Sequence, residues 1–349
     1  APTRTGNPEF FLDQNQFGML SPRTHRANSY ITAEYDLTPT ITVFGDLSYY
    51  KSKSTMVRQP VALNAPNTDA VKVMAIDNPF NPYGSKFYDA AGAPNADGKP
   101  RLVGAPRTVG LTALTIADLG GEYVDTTADV IRLTAGLKGK LNDNWKWEVA
   151  GFYNRVKGKD NGYPNARESL FQQAVARTDG TAFNPFGYTF KVQGNAVVVD
   201  QPYTNPQPVV DSFSDTFSRS AQSILASADV RANGRLLTLW AGDVNVAAGA
   251  EFRSEDLKDL RPPFSGDNPA TGGLDPLNND FLLHPPRPDV RGDRNVTSLY
   301  VETVIPLVAP KNNIPFVNTF EISASARHEQ YSDFGNTTKP KVGVNWRPF

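Results

Sequence analysis

Read at period two, residues 318–349 separate into two faces. Phe320, Ile322, Ala324 and Ala326 fall on one side, and Glu321, Ser323, Ser325, Arg327 and Glu329 on the other, the alternation of a strand with one apolar side. Ser332, Asp333, Gly335 and Asn336 tolerate tight or left-handed backbone and predict a reversal. The chain then returns with Val342, Val344 and Trp346 against Lys339, Lys341, Asn345 and Arg347. Charges opposite an apolar face suit either a sheet on a soluble core or a barrel wall between lipid and a wet lumen.

The same grammar recurs upstream. Residues 1–27 lack a sustained period and read as a loop entering the first strand. Ile31, Ala33, Tyr35 and Leu37 begin the pattern, and after Thr38-Pro39-Thr40 it returns through Ile41, Val43, Gly45, Leu47 and Tyr49, a hairpin with a very short turn. A second hairpin has Ile131, Leu133, Ala135 and Leu137, a turn at Asn142-Asp143-Asn144, then Trp145, Trp147, Val149, Gly151 and Tyr153. A third runs from Ile224, Ala226, Ala228 and Val230, through a connection placed around Asn233-Gly234, to Val244, Val246, Ala248, Ala250 and Phe252. Leu299, Val301, Thr303 and Ile305 form the strand before the closing pair. Between these lie aperiodic stretches rich in Pro, Gly and Asn, at about 54–126, 159–215 and 259–293.

The pattern predicts an all-β chain of about nine strands. Its connections run short, long, short, long, moderate, long, moderate, short. Short turns on one rim and long loops on the other is the habit of a transmembrane antiparallel β-barrel, with short periplasmic turns and long extracellular loops. A sandwich or propeller spaces its strands more evenly. Alternation over ten or more residues also suits a tilted bilayer-crossing strand better than a soluble one. Tyr49, Tyr50, Trp145, Trp147, Tyr153 and Trp346, near strand ends, fit interfacial girdles.

Composition narrows the picture. The 28 prolines gather between periodic segments, as strands require. There is no cysteine, which removes disulfide scaffolds and thiolate metal sites. Thirty-five basic residues against 36 acidic give a net charge of −1, so no basic surface argues for nucleic acid. No apolar run approaches the roughly 18 residues of a membrane helix. A mean hydropathy of −0.41 does not exclude a barrel, whose wall hides only alternate residues. The opening residues carry no basic or apolar signal segment and are silent on targeting.

Candidate chemistry is sparse. His25, His284 and His328 have no metal-ligand spacing around them, and neither GxSxG nor a P-loop occurs, so the expectation is no catalytic residue, no metal, no cofactor and no enzyme. Arg132, Lys146, Glu148, Glu251, Arg253, Glu321, Arg327 and Lys341 share the polar phase. They either solvate a lumen or line a solute's path. In the Asn-Pro-aromatic stretches NPFNPYG (78–84) and FNPFG (183–187), Pro fixes φ and Gly permits positive φ, which suits a structural turn. Their aromatics Phe80, Tyr83, Phe183 and Phe186 are also candidates for stacking on a ligand.

Several of these stretches resemble the TonB-dependent outer-membrane receptors. The resemblance is carried by YDLTPTITVFGDLSYYKSKS (35–54), AGDVNVAAGAEFRSE (241–255), SLYVETVIPLV (298–308) and FEISASARHEQYSDFGNTTKPKVGVNWRPF (320–349), with the two Asn-Pro motifs similar to ones in that family's outer loops. It implies a barrel of about 22 strands filled by an N-terminal plug. About nine strands and no recognisable plug or TonB box make residues 1–349 an incomplete barrel domain, with the plug and the remaining strands absent. Phe349 shares the polar phase of Lys341, Gly343, Asn345 and Arg347, so an apolar closing signature is missing.

The resemblance further implies an energy-coupled receptor, multi-pass in the outer membrane of a Gram-negative-type bacterium. It would bind a scarce solute, of small-molecule, oligosaccharide or siderophore type, at extracellular loops and import it to the periplasm. Its partners would be outer-membrane lipid, the plug of the same full-length chain and, through the missing N-terminal part, the TonB-ExbB-ExbD system. The alternatives are a passive porin-like channel and a secreted β-rich binding module or hydrolase.

Overall fold

The computed structural model describes residues 13–64, 71–265, 280–282, 284 and 287–349. Its framework is one sheet of nine long strands: β1 (Arg23–Thr38), β2 (Ile41–Arg58), β3 (Glu122–Asn142), β4 (Trp145–Ala166), β5 (Ser214–Thr238), β6 (Asp243–Leu260), β7 (Val290–Val308), β8 (Thr319–Tyr331) and β9 (Gly335–Arg347). Neighbours follow chain order and every pair is antiparallel. Among the described residues the sheet is an open wall, with β1 and β9 each paired on one side only.

Because the strands alternate in direction, successive connections fall on alternate rims. Residues 39–40, 143–144, 239–242 and 309–318 lie on one rim; the described residues of 59–121, 167–213 and 261–289, with the tight 332–334 turn, lie on the other. Local chemistry closes the turns. Asn142 Oδ1 accepts from the N–H groups of Asn144 (2.9 Å) and Trp145 (3.0 Å), holding the reversal between β3 and β4.

Residues facing each other across a ladder share a face, so the register sorts every side chain. One row runs Val43, Leu137, Val149, Val230, Ala250, Leu299; the next has Gly45, Ala135, Gly151, Ala228 and Phe252, and the one after it Leu47, Leu133, Tyr153 and Ala226. These large apolar residues are uncovered: Leu133 is 44% exposed, Val149 45%, Val230 47% and Leu299 55%. A soluble sandwich would bury such a face, and a contiguous apolar surface of this extent calls for lipid. On β4 the band lasts from Trp145 to Tyr153, about the span of a tilted bilayer-crossing strand. Tyr49, Trp145, Trp147, Tyr153 and Trp346 share this face, whereas Tyr50, paired with Val130, belongs to the opposite one.

The strands continue well past the band. β5 has 25 residues and starts at Ser214, and β1 begins at Arg23, earlier than the periodicity indicates. The expected connection at Asn233-Gly234 lies inside β5, whose turn comes at residues 239–242. Gly234 serves packing there. It pairs with Trp145, and a Cβ on it would sit 2.6 Å from the indole; the missing side chain lets the ring lie across the strand.

The buried core is not in the wall. It lies among the long connections, where Leu63, Ile116, Phe171, Ala174, Val175, Phe183, Val209, Val210, Phe213 and Leu282 form one cluster. Phe171, Phe183 and Phe213 meet edge to face at 5.3–5.4 Å between centroids, a favoured aromatic arrangement. The described residues of the long stretches, aperiodic in sequence, therefore form a folded cap on the long-loop rim. Its helix α1 (Glu168–Ala176) starts after Arg167, which makes no side-chain cap. Asp280, from the third long connection, takes that role: its Oδ1 accepts from Ser169 N–H at 2.6 Å and its Oδ2 from Arg167 Nε at 2.7 Å. A carboxylate there satisfies an orphan donor and complements the helix dipole.

Candidate functional site

The face of the wall opposite the apolar band is polar, and register places Arg132, Lys146, Glu148, Glu251, Arg253, Glu321, Arg327 and Lys341 all on it. The structure brings only some of them together. Arg253 lies 2.7 Å from Glu255 and 3.4 Å from Glu251; Arg327 lies 3.3 Å from Glu251 and 2.8 Å from Glu329. Arg294 joins at 2.7 Å from Glu255, and Tyr331 donates to Glu329 at 2.6 Å. The result is a ladder of alternating charge across β6, β7 and β8.

The other polar-phase residues stand apart. Glu148 pairs with Arg231 at 2.6 Å, Arg132 lies over the Phe152 ring at 5.5 Å, and Glu321 accepts from Asn345 at 3.1 Å. Lys341 lines a hollow of ≈350 Å³ with Glu302 and Ser325. Lys146 is exposed beside the turn after β3. Partly hydrated pairs of this kind contribute about 0.2–1 kcal/mol each, so their consequence is the positioning of guanidinium and carboxylate groups along a wet surface.

The Asn-Pro motifs are built as turns in the cap. Asn78 Oδ1 accepts from Phe80 N–H at 2.8 Å, Asn81 Oδ1 from Tyr83 N–H at 2.9 Å, and Asn184 Oδ1 from Phe186 N–H at 2.9 Å. Each is an Asx turn in which the asparagine mimics a backbone acceptor while Pro presets φ. The amides reach outward as well: Asn81 Nδ2 donates to the carbonyls of Ala75 and Arg107, and Asn205 Nδ2 to that of Asn184. Phe183 is fully packed in the aromatic cluster and Phe80 is buried against Tyr203 at 4.7 Å. Phe186 is half-buried against Phe190 at 5.3 Å, and Tyr83 is 56% exposed.

Where cap meets wall, a cleft of ≈1010 Å³ opens between the 3₁₀ turn Gln14–Phe17, the end of β2, Asn165 and His284. Arg58 and Glu122 pair directly across β2 and β3 at its edge. Asn165 Nδ2 donates to Glu122 Oε1 at 3.1 Å and lies 3.0 Å from His284 Nε2. His284 stacks flat on Phe217 at 3.8 Å. Burial, followed by the nearby Arg58 charge, lowers its pKa to about 4, so the ring is neutral near pH 7 and one nitrogen can accept. The cleft thus offers a cation, a carboxylate, amides and the apolar Met19, Met56 and Val57. Sequence inspection passes over it because Glu122, Asn165 and His284 are distant in the chain and no motif joins them.

Among the described residues no group of His, Asp and Glu is placed to hold a metal ion. No curated protein matches the chain. A family model described as TonB dependent receptor-like, beta-barrel, matches residues 73–349, from the first long connection through the end of the wall. With most of its length covered by that match, the chain belongs to the β-barrel family of the TonB-dependent receptors, which are outer-membrane transport receptors.

Proposed function

We propose that the chain is the barrel portion of an energy-coupled importer. The folded cap holds a scarce solute on the extracellular side, and the solute passes along the polar face into the periplasm when a plug, carried by the same full-length protein, is remodelled through TonB-ExbB-ExbD. The observation that supports this most is the cap itself: three long connections packed around one core on the rim of a lipid-facing wall, with a cleft at the junction. Passive pores need a clear mouth, whereas a capture device needs a rigid, shaped one.

Arg58, Glu122, Asn165 and His284 orient the solute in this reading, and the exposed Tyr83 offers an aromatic face beside the cap. The charge ladder around Glu251, Arg253 and Arg327 then pairs with the plug or guides polar groups along the lumen.

The test is uptake by cells that make the full-length receptor, with and without TonB. Candidate solutes are radiolabelled siderophore, cobalamin, oligosaccharide and peptide, and for one of them accumulation should require TonB and fall with Glu122→Gln or Arg58→Gln. Uptake equal in cells lacking TonB, and falling steadily as solute size rises, would establish the passive channel in its place.

A further inference from the structure

We propose that the solute held in the cleft between cap and wall is a short peptide, seated by its free C-terminal carboxylate on Arg58. This rests on the cleft being the binding site of the receptor. Arg58 is exposed and forms neither a hydrogen bond nor an ion pair among the described residues, although Glu122 stands directly opposite it across β2 and β3. The carboxylate of Glu122 is engaged elsewhere. Asn165 Oδ1 accepts from Ala166 N–H at 3.0 Å, which fixes the amide so that Nδ2 gives one hydrogen to Glu122 Oε1 at 3.1 Å and the other to His284 Nε2 at 3.0 Å. Gly162 makes room for this, because a Cβ there would collide with Glu122 Oε1. Glu122 is thus held by the wall of the cleft, and the Arg58 guanidinium stays open to an anion from outside. A carboxylate answers its planar fork through two parallel hydrogen bonds.

The rest of the cleft matches a peptide chain. The side-chain amides of Gln14, Asn15 and Gln59 line it and carry donors and acceptors together, as every peptide unit does. Met19, Met56 and Leu282 supply apolar surface, and the flexible thioether of methionine adapts to side chains of different shape. A sugar asks instead for open aromatic faces. Among the described residues the one ring lining the cleft is His284, and one of its faces already lies on Phe217 at 3.8 Å. With a single cation for the terminus and adaptable apolar walls, recognition depends on the free carboxylate and tolerates changes of side chain.

The test is calorimetric titration of the purified full-length receptor with trialanine, alanyl-leucyl-alanine, the C-terminal amide of the latter, and maltotriose. Both tripeptide acids should bind, and amidation, which removes the anion, should weaken alanyl-leucyl-alanine about tenfold or more. In Arg58→Gln the acid should fall to the affinity of the amide, while Lys191→Gln, elsewhere in the cap, should bind as wild type does. Acid and amide binding alike in wild type, or a preference for the acid kept in Arg58→Gln, overturns the proposal. So does the absence of tripeptide binding, whether or not maltotriose binds. The underlying reading fails separately: TonB-dependent uptake that survives both Arg58→Gln and Glu122→Gln removes the cleft as the binding site. Uptake of a solute other than a peptide that requires both residues keeps the cleft and removes the peptide.

Discussion

The side-chain amide of Asn78 donates to the carbonyl of Val175 across 2.8 Å, joining the first long connection to the helix of the second. Both residues are fully buried, and the same asparagine accepts from Phe80 N–H. One side chain therefore closes its own turn and pins that turn to the core of the cap.

Replacing Asn78 by Ala strands a buried carbonyl and a buried N–H, at a cost of about 1–3 kcal/mol for each group left unpaired. Amide exchange in α1 and at Phe80 should accelerate, while exchange in β5 and β6 stays as it is. Unchanged protection of α1 would mean the cap is held by something other than this link.

The two faces of the wall predict opposite responses to the same substitution. Leu137→Arg and Val230→Arg each place a charge in the apolar band and should cost about 2–4 kcal/mol near its middle, seen as loss of the heat-modifiable folded band of the full-length receptor on cold gel electrophoresis. Thr134→Arg and Ser323→Arg, on the polar face, should fold normally. Equal damage from both sets would point to a dry, two-sided core.

His284 predicts a pH dependence confined to the cap. Its folded pKa of about 4 lies below the ordinary 6.5, so between those values the unfolded cap binds a proton that the folded cap does not. Stability is complete above about pH 6.5, declines as pH falls, and levels off below about pH 4; the loss amounts to about 3 kcal/mol. Arg58 is the charged group that bears on it, and Asn165 joins the ring to Glu122. Amide exchange of α1 followed from pH 7 to pH 4 should show the decline in wild type and a shallower one in His284→Gln. The same slope in both would assign the loss to other groups.

Much of the wall was readable along the chain because a strand's alternation is a local property. Leu133 beside Thr134, or Ile322 beside Ser323, announces which way each side chain points before any partner is known. The misplacement of the turn at Asn233-Gly234 shows the limit of that locality. Asn-Gly is a strong reversal signal, and only the Trp145 indole lying on the neighbouring strand explains a glycine in mid-strand.

The cap was opaque for a different reason. Its core is assembled from pieces too short to show a period, so Phe171, Phe183 and Phe213 look unrelated in sequence, and the cap of α1 comes from Asp280, far along the chain. The cleft has the same character, since the contact between Asn165 and His284 spans 119 positions.

By itself, then, the sequence determined the strands, the phase of each face and the rims on which long and short connections fall, because backbone pleat and turn chemistry act between near neighbours. The tertiary structure decided which charges meet, as when Arg327 reaches Glu251 from 76 positions away, and how the aperiodic stretches close into one cap. Those outcomes depend on register and on burial shared among distant segments, and neither is encoded in any single stretch of chain.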